Sequence, residues 1–360
     1  MDRRTFLKST GAAVAASGLP LARASTEPRW RMFEVTTRVE LSLPEGRSRV
    51  WLPLPLTLDN DWHKTFDSSW KGNATRAEIA RDGKYGVAML HAEWPARETS
   101  PIVEVTSRFA TRDRTVDVAR PRAGAESLSA ADRAFYIAPT ELIPTDGIVR
   151  KTATEIVKSA KSDVEKARAI YEWVVDNTFR DPKTRGCGLG DIKAMLETGN
   201  LGGKCADLNA VFVGLVRSVG IPARDVYGIR VAASAYGYKS LGVASPAISR
   251  AQHCRAEFFA DGLGWVPVDP ADVRKVVLEE PPGNLALNDA KVAAARKRLF
   301  GSWEMNWLAY NMGADIALPN SKGRKIAFLM YPNGETGDER LDELDPDAFR
   351  YAITAKEIGA

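Results

Sequence analysis

The sequence predicts an α+β protein: an antiparallel β domain comes first, then a helical stretch followed by further β-strands. Three observations carry this. Residues Phe33, Val35, Thr37, Val39, Leu41 and Leu43 alternate with mostly polar neighbours, the period of a half-buried strand. From Cys205 the period becomes helical, with apolar residues at Leu208, Val211, Phe212, Leu215, Val216 and Val219. It then returns to β in Arg255–Phe259 and Trp265–Val268, two runs that flank Ala260-Asp261-Gly262-Leu263-Gly264, a hairpin loop.

The chain opens on Arg3-Arg4-Thr5-Phe6-Leu7-Lys8, a twin-arginine pattern, ahead of a weakly apolar run from Gly11 to Leu21 and an A-x-A site at Ala22-Arg23-Ala24. This predicts an exported protein cleaved after Ala24 and resident in the periplasm. The run is too short to span a bilayer, and no later stretch reaches that length, so no membrane span is expected in the mature protein. Residues 1–24 carry four basic groups against one acid, so removal takes the formal +4 to about +1. A near-neutral mature chain gives no case for nucleic-acid binding.

Four parts are expected: the leader 1–24, an antiparallel β domain over 28–118, a catalytic domain over 125–320 and a C-terminal β extension over 321–360. In the β domain, Val50–Leu54 reads as an edge strand because Pro53 and Pro55 interrupt it. Tyr85–Trp94 and Ile102–Thr111 are further strands, and the whole reads as a small sandwich. His63 and His91 are isolated and read as surface or packing residues. Ala119–Ser127 is a linker, and Ser129 with Asp132 three residues on fits a helix start. Helices are expected at Gly147–Ser159, Asp163–Thr178 and Asp191–Leu196. Ala232–Ser249 is a long loop, a length associated with function or mobility. A helix near Asn288–Leu299 and short strands at Ile326–Met330 and Phe349–Ala355, extending the core sheet, complete the chain. Trp303, Trp307 and Tyr310 read as packing. The acidic run Asp338–Asp347 lacks the spacing of a calcium loop and reads as solvated. No zinc spacing and no phosphate-binding glycine loop occurs, so neither metal nor cofactor is expected.

Cys205 follows Gly202-Gly203-Lys204 and stands in the first turn of its helix, which Gly220 and Pro222 end. Unpaired backbone N–H groups and the helix dipole there lower a thiol pKa. Taken alone, the cysteine reads better as a small buried residue. Partners decide the matter. With the hairpin turn centred near Asp261, His253 faces Asp269 across the ladder, and an imidazole held by a carboxylate is the base a thiol nucleophile needs. A one-residue slip would separate them. His253 is the only histidine in this half. With three cysteines one thiol at least stays free; Cys187–Cys254 is the pairing left if Cys205 is free, and three unpaired thiols remain the alternative. Lys204 reads as a solvated turn residue, Asp207 and Asn209 as braces of the helix start, and Arg224 and Arg230 as a solvated strand face. Trp265 reads either as a cover for the triad or as core.

Gly203-Lys204-Cys205, Gly220-Ile221-Pro222-Ala223-Arg224, His253-Cys254-Arg255-Ala256-Glu257 and Gly264-Trp265-Val266-Pro267-Val268-Asp269-Pro270 together resemble the transglutaminase-like superfamily over about residues 145–275. The resemblance implies a papain-like α+β core: a helix bearing the cysteine, packed on an antiparallel sheet bearing the histidine and aspartate. It implies Cys205 as nucleophile, His253 as base and then acid, and Asp269 as the group that orients it. Arg255 occupies a place where the superfamily often has an aromatic residue, a departure expected to bear on substrate preference. The implied chemistry is acyl transfer from a carboxamide or peptide through a Cys thioester, with hydrolysis favoured over amine-dependent cross-linking. A non-catalytic scaffold is the reading from another class. The expected partner is a protein or peptide, cell-wall peptide among the candidates.

Overall fold

The computed structural model describes residues 29–359, apart from 43, 59 and 346–348. The expected leader with its cleavage point, Leu43 and Asp347 lie outside the described residues. Among the described residues no helix is long and apolar enough to cross a membrane.

The first part holds strands β1 (Arg31–Glu40), β2 (Ser48–Pro53), β3 (His63–Gly72), β4 (Arg76–Arg81), β5 (Ala88–Trp94), β6 (Ile102–Thr111) and β7 (Arg114–Thr115). The alternation read from the sequence is the burial pattern of β1, with Phe33, Val35, Thr37 and Val39 inward. Strands β3 and β4 are mostly exposed and carry no such signal. Helices α1 (Ala130–Ile137), α2 (Gly147–Ile156) and α3 (Asp163–Asn177) follow, then β8 (Phe179–Arg180), α4 (Ile192–Thr198), β9 (Gly202–Gly203) and α5 (Cys205–Ser218). Ser129 caps α1 by accepting from the Asp132 N–H. Next come β10 (Ala223–Arg230), β11 (Gln252–Ala260), β12 (Gly264–Val268), α6 (Pro270–Glu279), α7 (Ala290–Arg298), β13 (Ser302–Trp303), β14 (Trp307–Asn311), β15 (Asn333–Thr336), β16 (Glu339–Arg340) and β17 (Arg350–Gly359).

Two sheets, β17-β1-β6-β3 and β16-β15-β2-β5-β4, face each other across Val39, Val50, Leu52, Leu90, Val105 and Phe349. This is the expected sandwich, with two corrections. First, β2 is interior: β5 flanks it on one side and β15 on the other. On β2, strand β15 reaches only Ser48–Trp51, so Pro53 stands past the end of that ladder, where its missing N–H breaks no bond to β15. Second, the C-terminal strands do not extend the core sheet. Strand β17 runs antiparallel to β1 along its length, and β15 joins β2. Residues 326–330 form a single bridge, Ile316 to Ile326, rather than a strand.

The core sheet is antiparallel, in the order β12-β11-β10-β14. Helix α5 lies on β11, and α2, α3 and α6 surround it. All 14 of its residues are buried, so the single apolar stripe understates its burial: sheet and helices cover it from every side. Gly220, at φ +83, ends it, its N–H donating to the Arg217 carbonyl. A second apolar cluster couples the two parts. Phe33, Val35 and Phe109 from the sandwich and Ile353 from β17 pack with Cys205, Leu208, Tyr227, Leu308 and Tyr331. His63 and His91 are both buried, stacked on Phe109 and Trp51.

Candidate active site

The approach to Cys205 is fixed by backbone crowding. Strand β9 pairs with β8, and a Cβ on Gly203 would lie 2.5 Å from the Cβ of Asp207. The Asp207 carboxylate folds back over this spot. It accepts from the Lys204 N–H at 2.9 Å, closing the helix start, and from the N–H groups of Leu189 and Gly190 at 3.0 and 2.9 Å. Asp207 therefore ties the loop carrying Cys187 to the first turn of α5. Asn209 ties the next turn to the sheet, donating to the Cys254 carbonyl at 2.8 Å and toward Asp269 at 3.4 Å. Both are the braces the sequence predicts. The Cys205 N–H, at the first helical position, donates to no group among the described residues.

His253 and Asp269 do meet: His253 Nε2 and Asp269 Oδ2 are 2.7 Å apart and both side chains are buried. They do not meet as directly opposed residues. The β11–β12 ladder pairs Glu257 with Pro267 and Ala260 with Gly264, so the turn is centred on Gly262, at φ +78, and not on Asp261. Continuing that ladder sets Asp269 against Arg255. The displacement is two residues, and a shift of two keeps the face. Asp269 also leaves the strand to become the N-cap of α6, its Oδ1 accepting from the Asp272 N–H at 3.0 Å. One carboxylate thus fixes both a helix start and an imidazole. Trp307 Nε1 donates to the His253 carbonyl at 2.9 Å and locks the strand from the other edge.

Three residues support this pair that sequence reading did not place there. Asp272 Oδ1 lies 3.4 Å from His253 Nε2. Arg230 grips both Asp272 oxygens, at 2.6 and 2.7 Å, and is itself buried, not solvated as predicted. Arg224 is not solvated either: it is half-buried, donates to Glu257 at 2.6 Å and stacks on Trp265 at 3.7 Å. Arg255 is buried behind the His253–Asp269 pair, its Nε 3.7 Å from Asp269 and its guanidinium 4.7 Å from the Trp307 ring. It does not line the cavity over Cys205. The departure from an aromatic residue at this place therefore concerns support of the aspartate. Trp265 likewise faces away, packed edge-on to Tyr136 and Phe259.

Burial alone would pull the His253 imidazole down. The charges of Asp272 and Asp269 outweigh burial and the opposing Arg230, and raise it to about 9. Burial likewise pushes the Cys205 thiol up, but hydrogen bonds from Cys187, Cys254 and His253, with the imidazolium charge, hold it well below the usual thiol range. Cys187 is raised well above that range by its bond to Cys205 and by burial, and Cys254 by burial and then by Cys205. All three cysteines are free. Since Nε2 faces the carboxylates, Nδ1 is the nitrogen left for sulfur. His253, Asp269 and Asp272 are close enough to hold a metal ion, but Arg230 and Arg255 already balance the two carboxylates.

Cys205 and His253 open into a cavity of about 420 Å³. The Ala232–Ser249 loop supplies Gly242, Val243 and Ser249 to its wall, and the C-terminal part supplies Tyr331 and Tyr351. The loop is pinned by β17: the Ile248 N–H donates to the Ile353 carbonyl at 2.8 Å, and Ala355 N–H to Pro246 at 2.9 Å. A larger cavity of about 660 Å³ lies against α1, lined by Trp62, Arg114, Tyr136, Arg224 and Trp265; it contains no cysteine or histidine.

A helix that starts on a cysteine, packed on an antiparallel sheet whose histidine is held by an aspartate, defines a papain-like α+β core. The chain belongs to the transglutaminase-like superfamily, whose profile matches residues 150–270. The twin-arginine signal profile matches residues 1–20, so the chain is exported to the periplasm. Across 98% of its length it is 34% identical to an uncharacterized protein of Haemophilus influenzae, all of which it covers. A candidate cysteine protease from Cytophaga hutchinsonii shares the fold at TM-score 0.57 and 13% identity, with 93% of each chain covered. The periplasmic domain of TgpA from Pseudomonas aeruginosa aligns at TM-score 0.36 and 15% identity, over 74% of this chain and 92% of that one.

Proposed function

We propose that the chain is a cysteine acyl-transfer enzyme that hydrolyses amide bonds of peptides or proteins, with Cys205 as nucleophile, His253 as general base and acid, and Asp269 as the residue that orients the imidazole. One observation carries the proposal: the depressed Cys205 thiol and the carboxylate-held His253 share one cavity. A thiolate–imidazolium pair waits for the substrate. Sulfur attacks the carbonyl carbon and forms a C–S bond, while charge collects on the carbonyl oxygen. The Cys205 N–H at the helix start is the donor available to that oxygen. Collapse breaks the C–N bond, and the His253 proton leaves with the amine or ammonia. Neutral His253 then takes a proton from water, hydroxide replaces sulfur at the thioester, and release of the acid restores the ion pair.

Hydrolysis is favoured over cross-linking because of charge. An amine acceptor arrives as an ammonium ion, and the cavity wall carries Arg180, Lys204, Arg250 and Lys275. Water needs no docking site and meets no repulsion. The scaffold reading has no use for a depressed thiol beside a raised imidazole. The test is mature protein with a glutamine-containing peptide library, with and without a primary amine, read by mass spectrometry against Cys205→Ala. Chain cleavage or ammonia loss in wild type only is expected. Amine incorporation would instead establish cross-linking, and an inert Cys205 with no product would sink the enzyme reading.

A further inference from the structure

The cavity over Cys205 is lined by charges of one sign. Arg180, Lys204, Arg230, Arg250 and Lys275 line it, and among the described residues no aspartate or glutamate does. Arg230 is engaged with Asp272 beneath the imidazole. The other four are poorly compensated. Lys204 Nζ donates to the neutral Thr184 carbonyl at 2.7 Å and makes no ion pair among the described residues. Arg180 pairs with Glu279, and Lys275 Nζ stands 3.6 Å from that same carboxylate, so two cations share one partly exposed anion. Arg250 is exposed beside Ser249 and Tyr351 and forms no ion pair among the described residues. Four cations against one carboxylate are gathered at the mouth of a protein whose mature formal charge is near zero. Burial, and after it the Arg230 charge, push the Lys275 amine below its ordinary range.

We propose that this cavity selects acyl donors that carry a carboxylate beside the scissile carbonyl, an acidic peptide, and that Arg250 is a specificity-determining residue. The inference rests on the acyl-transfer reading and names the substrate class for it. Walls of one sign and low dielectric concentrate the field in a cleft and raise the local concentration of the opposite charge. A substrate carboxylate supplies the anion the wall lacks. Arg250 is suited to select it, since a guanidinium presents paired donors to a carboxylate and this one is not engaged elsewhere.

The test compares three internally quenched peptides that differ only in Glu, Gln or Lys beside the scissile amide, with wild type, Arg250→Gln and Arg250→Glu. Wild type is expected to favour Glu over Gln in kcat/KM about tenfold at low salt, the preference shrinking as salt is added. Arg250→Glu should erase or invert it. Equal rates on all three peptides, preference for Lys, or a preference that Arg250→Glu leaves unchanged would overturn the proposal. A second readout needs no turnover. Cys205 is alkylated with iodoacetate, an anion, and with iodoacetamide, its neutral counterpart. Arg250→Glu should lower the iodoacetate to iodoacetamide rate ratio about tenfold while the iodoacetamide rate stays within about twofold. A ratio that falls without any peptide being cleaved supports anion selection and counts against acyl transfer. Peptide cleavage with an unchanged ratio does the reverse.

Discussion

Replacing Asp272 by asparagine should lower the His253 pKa more than any change outside Cys205, His253 and Asp269. His253 is raised from an ordinary 6.5 to about 9, and Asp272 is the largest of the influences that raise it. That elevation corresponds to about 3 kcal/mol in favour of the imidazolium, at about 1.4 kcal/mol per pKa unit. A charge 3.4 Å from Nε2 is strong enough to supply most of it. At an effective dielectric of about 20, Coulomb's law gives roughly 5 kcal/mol for such a pair before opposing charges are counted. The substitution also leaves Arg230 buried without its partner, facing the imidazole with an unbalanced positive charge. His253 should then titrate at or below about 7, and the pH range over which Cys205 exists as a thiolate beside an imidazolium should contract from its alkaline side. Ring-proton NMR of His253 and the pH profile of Cys205 alkylation read these out. Loss of one member of a buried pair also costs roughly 3–5 kcal/mol of stability, so thermal unfolding must be followed alongside. The double variant Arg230→Met/Asp272→Asn removes both influences, and its His253 should titrate between the single variant and wild type. A folded Asp272→Asn protein whose His253 still titrates near 9 would refute the reasoning.

Linkage gives a related expectation in the wild type. The folded His253 pKa lies above the unfolded value, so the imidazolium contributes its stability fully below about pH 6.5, and that contribution is lost as pH rises through about 9. Denaturant midpoints from pH 6 to 10 should fall across that window, and should fall less in Asp272→Asn. Gly203→Ala puts a methyl group 2.5 Å from Asp207 and should destabilise by about 1–3 kcal/mol while slowing Cys205 alkylation; unchanged melting would show that the helix start yields easily. Truncation before Arg350 removes β17, which should open the β1 edge, release the 246–248 loop and abolish peptide turnover, and a truncated chain that associates no more than the full chain and stays active would contradict this.

Much of the site could be read from the chain because it rests on local rules. A period of 3.6 after Cys205 and a hairpin with glycines at 262 and 264 suffice to bring a helix start near a strand pair. A shift of two residues keeps the face of a strand, so the sequence pairs His253 with Asp269 even though the turn centres on Gly262 and not on Asp261. What escaped depends on distant contacts. Arg230, Asp272 and Arg255 look like ordinary polar residues of strand and helix, and only the fold shows them buried together. Strand β2 reads as an edge because its second neighbour, β15, comes some 280 residues later. Strands β3 and β4 face solvent and leave no period to find.

The pairing of β1 with β17 also bears on when the protein can become competent. Its partners are separated by about 320 residues, so this ladder has very high contact order and its closure must follow the folding of nearly everything between. Until then β1 offers an unpaired edge, and the Ser249 and Tyr351 side of the cavity has no scaffold. Cys205 is therefore without its complete cavity through most of the folding reaction. Such a chain is served by a route that lets it finish folding before it crosses the membrane, and its first residues carry a twin-arginine signal.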